Sequence, residues 1–298
     1  MNITVGITAF NEGKLLVEAW DSVINQDIDS WEAVMVLDGG ADQQTRKYFE
    51  SIQHPKLKKY SYNTNQGPYG TRTRAIELSN TEWYCQLDGD DLLPSNAVND
   101  IIEIINKHPH AEFIFGDCEH FSNITHMVKK PIFNDNMLCY ATLFNGHSPI
   151  SKNLFHQLGG YAKELKINAD WDFWLSVHEK EIRGAYTNTV IYKWRIRKNN
   201  VGHNFMHLRP EIIDKIIKRH PLFFNNDERK NLARFNVLEK LARYYRSIGD
   251  RDNAVRSVKK AIQYGNPIPV FDSIIRESEM STIRYYLHRL RRIIYFKL

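Results

Sequence analysis

The chain has 298 residues, 42% of them hydrophobic and 25% charged, with a net charge of +5. That balance supports a sizeable core and excludes global disorder, and the mild basic excess, gathered at the C-terminus, is not that of a nucleic-acid binder. Three separated cysteines, Cys85, Cys118 and Cys139, with no C-x-x-C pair, exclude a disulfide framework and a cysteine zinc site and point to buried thiols in a reducing compartment.

The opening "MNITVGIT" reads as a strand, Ile3 to Thr8, rather than as a leader. No apolar run approaches the ~20 residues that span a bilayer, so a cytoplasmic protein is expected. Next comes a helix with Leu15, Leu16, Ala19, Trp20, Val23 and Ile24 on one face and Asn11 as its N-cap. "EAVMVL" (Glu32 to Leu37) is a second strand, followed by a helix over Asp42 to Ile52. "LKKYSY" (Leu57 to Tyr62) is a weaker strand, and a helix runs from about Tyr69 to Ser79. "WYCQL" is the fourth strand, followed by a helix from Ser95 to Lys107, and "EFIFGD" (Glu112 to Asp117) is the fifth strand. Strand–helix alternation of this kind builds a mainly parallel α/β sheet covered on both faces.

From Phe121 to His203 the pattern is less regular, and from Pro210 onward it is helical. Within "LEKLARYYRSIGDRDNAVRSVKKAIQYGNP", the residues Leu241, Ala242, Tyr245, Gly249, Ala254 and Ala261 stand at the offsets of a single tetratricopeptide unit. One repeat cannot bury its own faces, so a helical hairpin packed on the preceding domain is expected. In "STIRYYLHRLRRIIYFKL", Ile283, Leu287, Leu290 and Ile294 form a stripe flanked by Arg284, Arg291, Arg292 and Lys297. Two readings stay open for this segment: a peripheral membrane helix, or a helix docked on its own domain with a solvated basic face.

The first four strands end in "AFNE", "DGG", "NTNQG" and "DGDD". Gly and Asp also make ordinary turns. In open α/β sheets, however, ligands bind outside the carboxyl ends of the strands, and four polar ends in register mark a ligand cleft. In "WYCQLDGDDLLP" (Trp83 to Pro94), three mutually repelling carboxylates, Asp88, Asp90 and Asp91, follow a buried strand. First-turn acidic residues of the next helix are one explanation. The other is a hard divalent cation, Mg²⁺ or Mn²⁺, whose shell is completed by substrate phosphates.

The blocks "ITAFNEGKLLVEAWDSVINQ", "VLDGGADQQT", "NQGPYGTRTRAIELSNTEWYCQLDGDD" and "LGGYAKELKINADWDFWLSV" resemble, in order and spacing, a family 2 glycosyltransferase of the GT-A fold. The resemblance covers roughly residues 1 to 205 and leaves residues 206–298 as a helical extension. It implies a nucleotide-diphosphate sugar donor, a divalent metal and an inverting displacement. Carried onto this sequence, it places Thr8, Phe10 and Glu12 in the first nucleotide-contacting loop and Asp38 at the N–H of a pyrimidine base. Asn65, Gly67, Arg72, Asp88 and Gly89 are then expected along the base, ribose and diphosphate, with Asp90 and Asp88 on the metal. The family's Glu-Asp block reads Ala169-Asp170 here, which keeps the Asp as general base; Asp172 is the rival two positions on. Where the family often has a metal-reaching His, this chain has Arg197, with His203 further along as the candidate ligand. Two readings stay open for Trp171, Phe173 and Trp174, a sugar-stacking wall and plain core packing, and helical spacing assigns at least two of the three to the core.

The expected reaction moves a sugar, UDP-linked by resemblance, to a hydroxyl of a glycan or lipid-linked acceptor, in surface polysaccharide or glycoconjugate synthesis on the cytoplasmic side of a membrane. Two alternatives compete with it. A Mg²⁺-dependent nucleotidyl- or phosphotransferase would want a nucleophilic Asp on strand one or a basic Gly-rich loop, and strand one ends in Ala9-Phe10-Asn11. A non-catalytic adaptor with a degenerate transferase domain would have lost Asp90 or Asp170, and both are present.

Overall fold

In the computed structural model of the chain, residues 1–122, 125–128, 138–139, 147–197 and 205–278 are described. His203, the candidate metal ligand, and the basic segment 281–298, read either as a peripheral membrane helix or as a helix docked on its own domain, lie outside them. The chain divides into two units, Met1–Asn200 and Val201–Leu298.

In the first unit, β1 (Ile3–Ala9), β2 (Trp31–Leu37), β3 (Leu57–Ser61) and β4 (Trp83–Asp88) alternate with α1 (Leu15–Ile24), α2 (Gln43–Ser51) and α3 (Gly67–Leu78), and α4 (Ala97–Lys107) follows β4. Then come β5 (Phe113–Phe121), β6 (His126–Val128), β7 (Ile150–Ser151), α5 (Lys152–Gln157), α6 (Ala169–Glu179) and β8 (Gly184–Arg195). The sheet order is β3-β2-β1-β4-β7-β5-β6, with β8 also paired to β5. The first four strands pair in parallel, while the two-residue β7 is antiparallel to both β4 and β5, so β5 still runs in their direction. β8 pairs parallel to β5 across a bulge, and among the described strands β6 and β7 alone oppose the common direction.

β1, β2 and β4 are short, mainly apolar runs followed closely by Gly, Asn or Asp, and β1 is buried along its whole length, as a strand covered on both faces must be. One face packs Ile3, Val5 and Ile7 against Leu16, Ala19 and Trp20 of α1 and Val98 and Ile101 of α4. The other packs Val34, Val36 and Tyr84 against Ala75 and Ile76 of α3 and Phe173, Trp174 and Val177 of α6. The chain order reverses at β1, which has β2 and β3 on one side and β4 on the other. That reversal opens a crevice at the carboxyl ends of β1 and β4.

Two local expectations are corrected. Asn11 is not the cap of α1; its Oδ1 accepts from Asp42 N at 2.8 Å, because Gly13, at φ 57°, turns the chain and delays the helix to Leu15. Ile24, the last residue of that helix, is 40% exposed instead of joining the apolar face. α2 is capped by Asp42, which accepts from Thr45 N at 2.6 Å. All three cysteines are buried thiols outside any disulfide, and burial pushes the Cys85 thiol up to about 12.

The second unit contains α7 (Arg209–Arg219), α8 (Asp227–Ile248), α9 (Arg251–Ala261) and α10 (Pro269–Ser278). Gly249 ends α8 at φ 85°, and Asp250 caps α9 by accepting from Asn253 N at 3.1 Å, which makes the tight turn of a helical hairpin. Leu238, Ala242, Ala254, Val258 and Ala261 bury that hairpin against Phe271 and Ile274 of α10. Within its own unit the hairpin therefore packs on a third helix. Among the described residues no helix is long and apolar enough to cross a membrane.

Candidate active site

Parallel register carries the strand-end residues to one edge. Thr8 of β1 stands opposite Asp88 of β4, with its Oγ1 donating to Asp88 Oδ1 at 3.2 Å. Gly89 N donates to Thr8 O at 2.9 Å and Asp38 N to Ala9 O at 2.8 Å, so the three strand ends are tied together. A Cβ on Gly89 would lie 2.8 Å from Thr8 O, which is why this position takes no side chain.

Asp38 is buried, and its carboxylate orders the loop that follows β3. Oδ1 accepts from Gly39 N at 2.8 Å and Gln66 N at 2.7 Å, and Oδ2 accepts from Gly67 N at 3.0 Å. One acceptor position on Oδ2 is left over. Asn65 closes the same loop from Nδ2 to Gly39 O at 3.3 Å.

Asp88 is held by the buried Arg72, whose Nη2 lies 2.9 and 2.7 Å from its two oxygens. Burial pushes the Asp88 carboxyl up, but the Arg72 guanidinium, His147 and hydrogen bonds from Arg72 and Gln86 outweigh it and hold the group at about 2. The neighbouring acids behave in the opposite way. Burial and the Asp88 charge raise Asp90 against Arg197, whose Nε stands 2.8 Å from Asp90 Oδ2. Burial and the charges of Asp90 and Asp88 push Asp91 up to about 8, against hydrogen bonds at 2.7 Å from Tyr192 OH and Arg195 N. Burial likewise pushes Glu12 up to about 7, opposed by its hydrogen bond from Phe10 N at 2.5 Å and reinforced by the Asp90 charge.

More acid is therefore crowded here than the local arginines neutralise, and a divalent cation would relieve it. Ligand atoms of Asp88, Asp91 and His147 lie within 4.8 Å of one another. Carboxylate oxygens with one imidazole are a donor set that suits Mn²⁺ and, through the carboxylates, Mg²⁺. The His147 ring is fixed by stacking on Tyr192, with centroids 3.9 Å apart and planes 9° apart.

Asp170 sits in the first turn of α6, after Asn168 at φ 62°. Its Oδ1 accepts from Trp171 N at 3.0 Å and from Tyr69 OH at 2.7 Å. Tyr69 also carries the Arg72 guanidinium 5.6 Å from its ring centroid. A continuous chain of contacts, Asp88–Arg72–Tyr69–Asp170, thus joins the end of β4 to the start of α6. The rival Asp172 is 2% exposed, and Trp171, Phe173 and Trp174 are 3%, 2% and 3% exposed. Core packing, which helical spacing assigned to at least two of these aromatics, holds for all three and leaves no sugar-stacking wall: α6 is enclosed on almost every side, and Trp171 spends its Nε1 on Leu138 O at 2.8 Å.

Sequence reasoning did not single out Tyr69, His147, Tyr192 or Arg195. Tyr192 and Arg195 sit near the end of a strand, the signal that identified the other positions. His147 follows an irregular stretch that gives no periodic signal.

Relatives and solved structures resemble this chain over different lengths. An uncharacterized glycosyltransferase of Haemophilus influenzae is 21% identical over 317 residues, covering 99% of this chain and 91% of its own. Of other curated relatives the chain spans 22% and 66% of the length. The crystal structure of S. aureus TarS 1–349 in complex with UDP-GlcNAc matches with a TM-score of 0.63 and 16% identity over 92% of this chain and 84% of that one. The mannosyltransferase PcManGT from Pyrobaculum calidifontis, in complex with GDP-Man and Mn²⁺, matches at 0.54 and 15% over 92% and 79%. At these identities the likeness is one of fold, the GT-A arrangement of a mainly parallel sheet between helices. The family model for glycosyl transferase family 2 matches residues 4–157, from the first residues of β1 to the end of α5. With more than half of its length in that match and its strand ends converging on one edge, this chain belongs to glycosyl transferase family 2, and it is a glycosyltransferase.

Proposed function

We propose that the chain is a metal-dependent inverting glycosyltransferase that moves a sugar from a UDP-linked donor to a hydroxyl on a glycan or lipid-linked acceptor. The observation that carries this reading is the contact chain from Asp88 through Arg72 and Tyr69 to Asp170, which links a donor-binding carboxylate to a candidate base. Thr8, Phe10 and Glu12 line the nucleotide side, with Asn65, Gly67 and Gly89 supplying close backbone. The acceptor position left on Asp38 Oδ2 fits the imide N–H of a pyrimidine base. Asp88 and Asp90, with Asp91 and His147 beside them, would hold Mn²⁺ or Mg²⁺, and the cation when bound supplies charge stabilisation for the departing diphosphate. Arg72 keeps its charge throughout, since Asp88 and its neighbours raise it well above its ordinary value against the effect of burial. Asp170 accepts the acceptor's proton through Oδ2, the oxygen not taken up by Trp171 N and Tyr69 OH. The bound nucleotide of TarS and the Mn²⁺ of the mannosyltransferase support the donor and metal assignments. In this reading residues 1–205 form the catalytic domain and 206–298 a helical extension, and surface glycoconjugate synthesis on the cytoplasmic face of a membrane is the setting.

The test is UDP release from a panel of UDP- and GDP-sugars, with Mn²⁺ or with a chelator, by the wild-type chain and Asp170→Asn. We expect Mn²⁺-dependent release with UDP-sugars and a fall of about 10²–10⁴-fold in the variant, the usual worth of a general base. Full turnover by Asp170→Asn removes the base assignment, and turnover indifferent to chelation removes the metal.

A further inference from the structure

Tyr69 lies on α3, outside the helix that bears Asp170, and reaches it across 101 positions of sequence. Its hydroxyl and Trp171 N, at 2.7 and 3.0 Å, converge on the same oxygen, Asp170 Oδ1. Two donors on one oxygen fix the plane of a carboxylate and leave Oδ2 as the oxygen able to take a proton. The Tyr69 ring is itself braced, by the Arg72 guanidinium at 5.6 Å and the Tyr161 ring at 5.2 Å. Burial and the Asp170 charge push the phenol well above its usual value, so Tyr69 stays protonated and serves only as a donor.

We infer that Tyr69 is the positioning residue of the transfer step: it aims Oδ2 of Asp170 at the acceptor hydroxyl and, through its contact with Arg72, ties that aim to the arginine that grips Asp88. This rests on the reading of Asp170 as the base. In the step, the acceptor O–H bond breaks and its proton passes to Asp170 Oδ2. The acceptor oxygen bonds to the sugar C1, and the C1–O bond breaks with its electron pair leaving on the diphosphate. The Tyr69 O–H bond stays intact, and its hydrogen bond weakens as the carboxylate becomes a neutral acid, because donors favour the charged form. Among the described residues, the groups facing Asp170 from packed elements are Tyr69 and Arg72 of α3 and Tyr161 of the loop before α6. Of these three, Tyr69 is the one that makes a hydrogen bond to it.

The experiment uses the full chain with Mn²⁺, UDP-GlcNAc as donor and water as acceptor, following UDP release between pH 5 and 9 for wild type, Tyr69→Phe and Asp170→Asn. Phe keeps the ring against Arg72 and Tyr161 and removes only the hydroxyl. For Tyr69→Phe we expect kcat to fall roughly tenfold or more from lost alignment, with KM for the donor nearly unchanged. The acid limb of the kcat profile should move up by about one pH unit, since the variant loses a donor to the charged base. In parallel, chains labelled with ¹³Cγ-aspartate give a readout that does not depend on turnover: the resonance absent from Asp170→Asn should titrate at higher pH in Tyr69→Phe. An unmoved limb and an unmoved resonance overturn the inference, even if kcat falls, since a purely structural role would lower rate alone. Wild-type turnover by Asp170→Asn instead shows that the base assignment itself fails, and the role of Tyr69 falls with it.

Discussion

Replacing Glu12 by Gln should change how stability depends on pH by an amount that follows from the structure. The carboxyl is raised from 4.5 to about 7, chiefly by burial, so the folded chain prefers the protonated form more than the unfolded chain does. A raised acid contributes stability that is fully present below its unfolded value and is lost as pH climbs through its folded one. Between pH 4.5 and pH 8.5 the wild type should therefore lose about 3 kcal/mol that the Glu12→Gln variant, neutral at this position throughout, does not lose. Any constant penalty for seating the amide cancels, because the quantity compared is the change of ΔΔG with pH. The assay is urea unfolding of both proteins at both pH values without nucleotide or metal, with equal m-values as the check that the unfolded states match. In a domain of this size about 3 kcal/mol corresponds to a Tm difference of roughly 6–12 °C. If the difference in ΔG between variant and wild type is the same at both pH values, Glu12 ionises freely in the folded chain, and its burial beside Asp90 is not what the structure implies.

Three further outcomes are expected. Asp38→Ala leaves Gln66 N and Gly67 N without their acceptor, at ~1–3 kcal/mol for each donor left unpaired, so these two amides should exchange with solvent faster and UDP affinity should fall; unchanged exchange would falsify the bracing role. Gly89→Ala forces a methyl against Thr8 O and should cost about 1–3 kcal/mol in a urea melt, together with weaker UDP binding in calorimetry; a variant as stable as wild type would show that the β1–β4 contact yields freely. Asp90→Asn removes one ligand charge and should weaken Mn²⁺ binding, read from the free-ion EPR signal, by about tenfold or more; equal binding would move the metal wholly onto Asp88, Asp91 and His147.

Much of the first half of the fold is legible locally. β1, β2 and β4 are mainly apolar runs followed closely by Gly, Asn or Asp, and the alternation of such runs with helical patterns needs no tertiary information. Asn11 misled because the same residue type caps helices and braces turns, and only the positive φ of Gly13 decides between them. Helical spacing placed at least two of Trp171, Phe173 and Trp174 in the core, but it does not show how many neighbours enclose a helix, and here all three are buried. The strand ends Thr8, Asp38 and Asp88 could be read because parallel strands bring their carboxyl ends to one edge as a matter of topology. Tyr69 and His147 could not, because each acts through a residue far away in sequence and neither stands at a strand end, while the strand that carries Tyr192 and Arg195 near its end lies in the irregular middle of the chain.

The placement of β8 has a consequence for how this enzyme comes into being. Asp91 is satisfied by Tyr192 OH and Arg195 N, across 101 and 104 positions of sequence. A polypeptide emerging from the ribosome exposes all three aspartates of the β4 turn long before either donor has been made, and buried carboxylates without partners oppose compaction. This edge is therefore completed by one of the last strands of its unit to be synthesised, at the end of a long loop closure of the kind that slows folding. A fragment stopping at residue 157, where the family match ends, would contain β1 to β4 and every acid of the DGDD turn, yet it would lack the strand that holds Asp91 in place. Bracing of the turn is thus timed to completion of the whole unit, and a prematurely terminated chain is left with an acidic, unbraced turn.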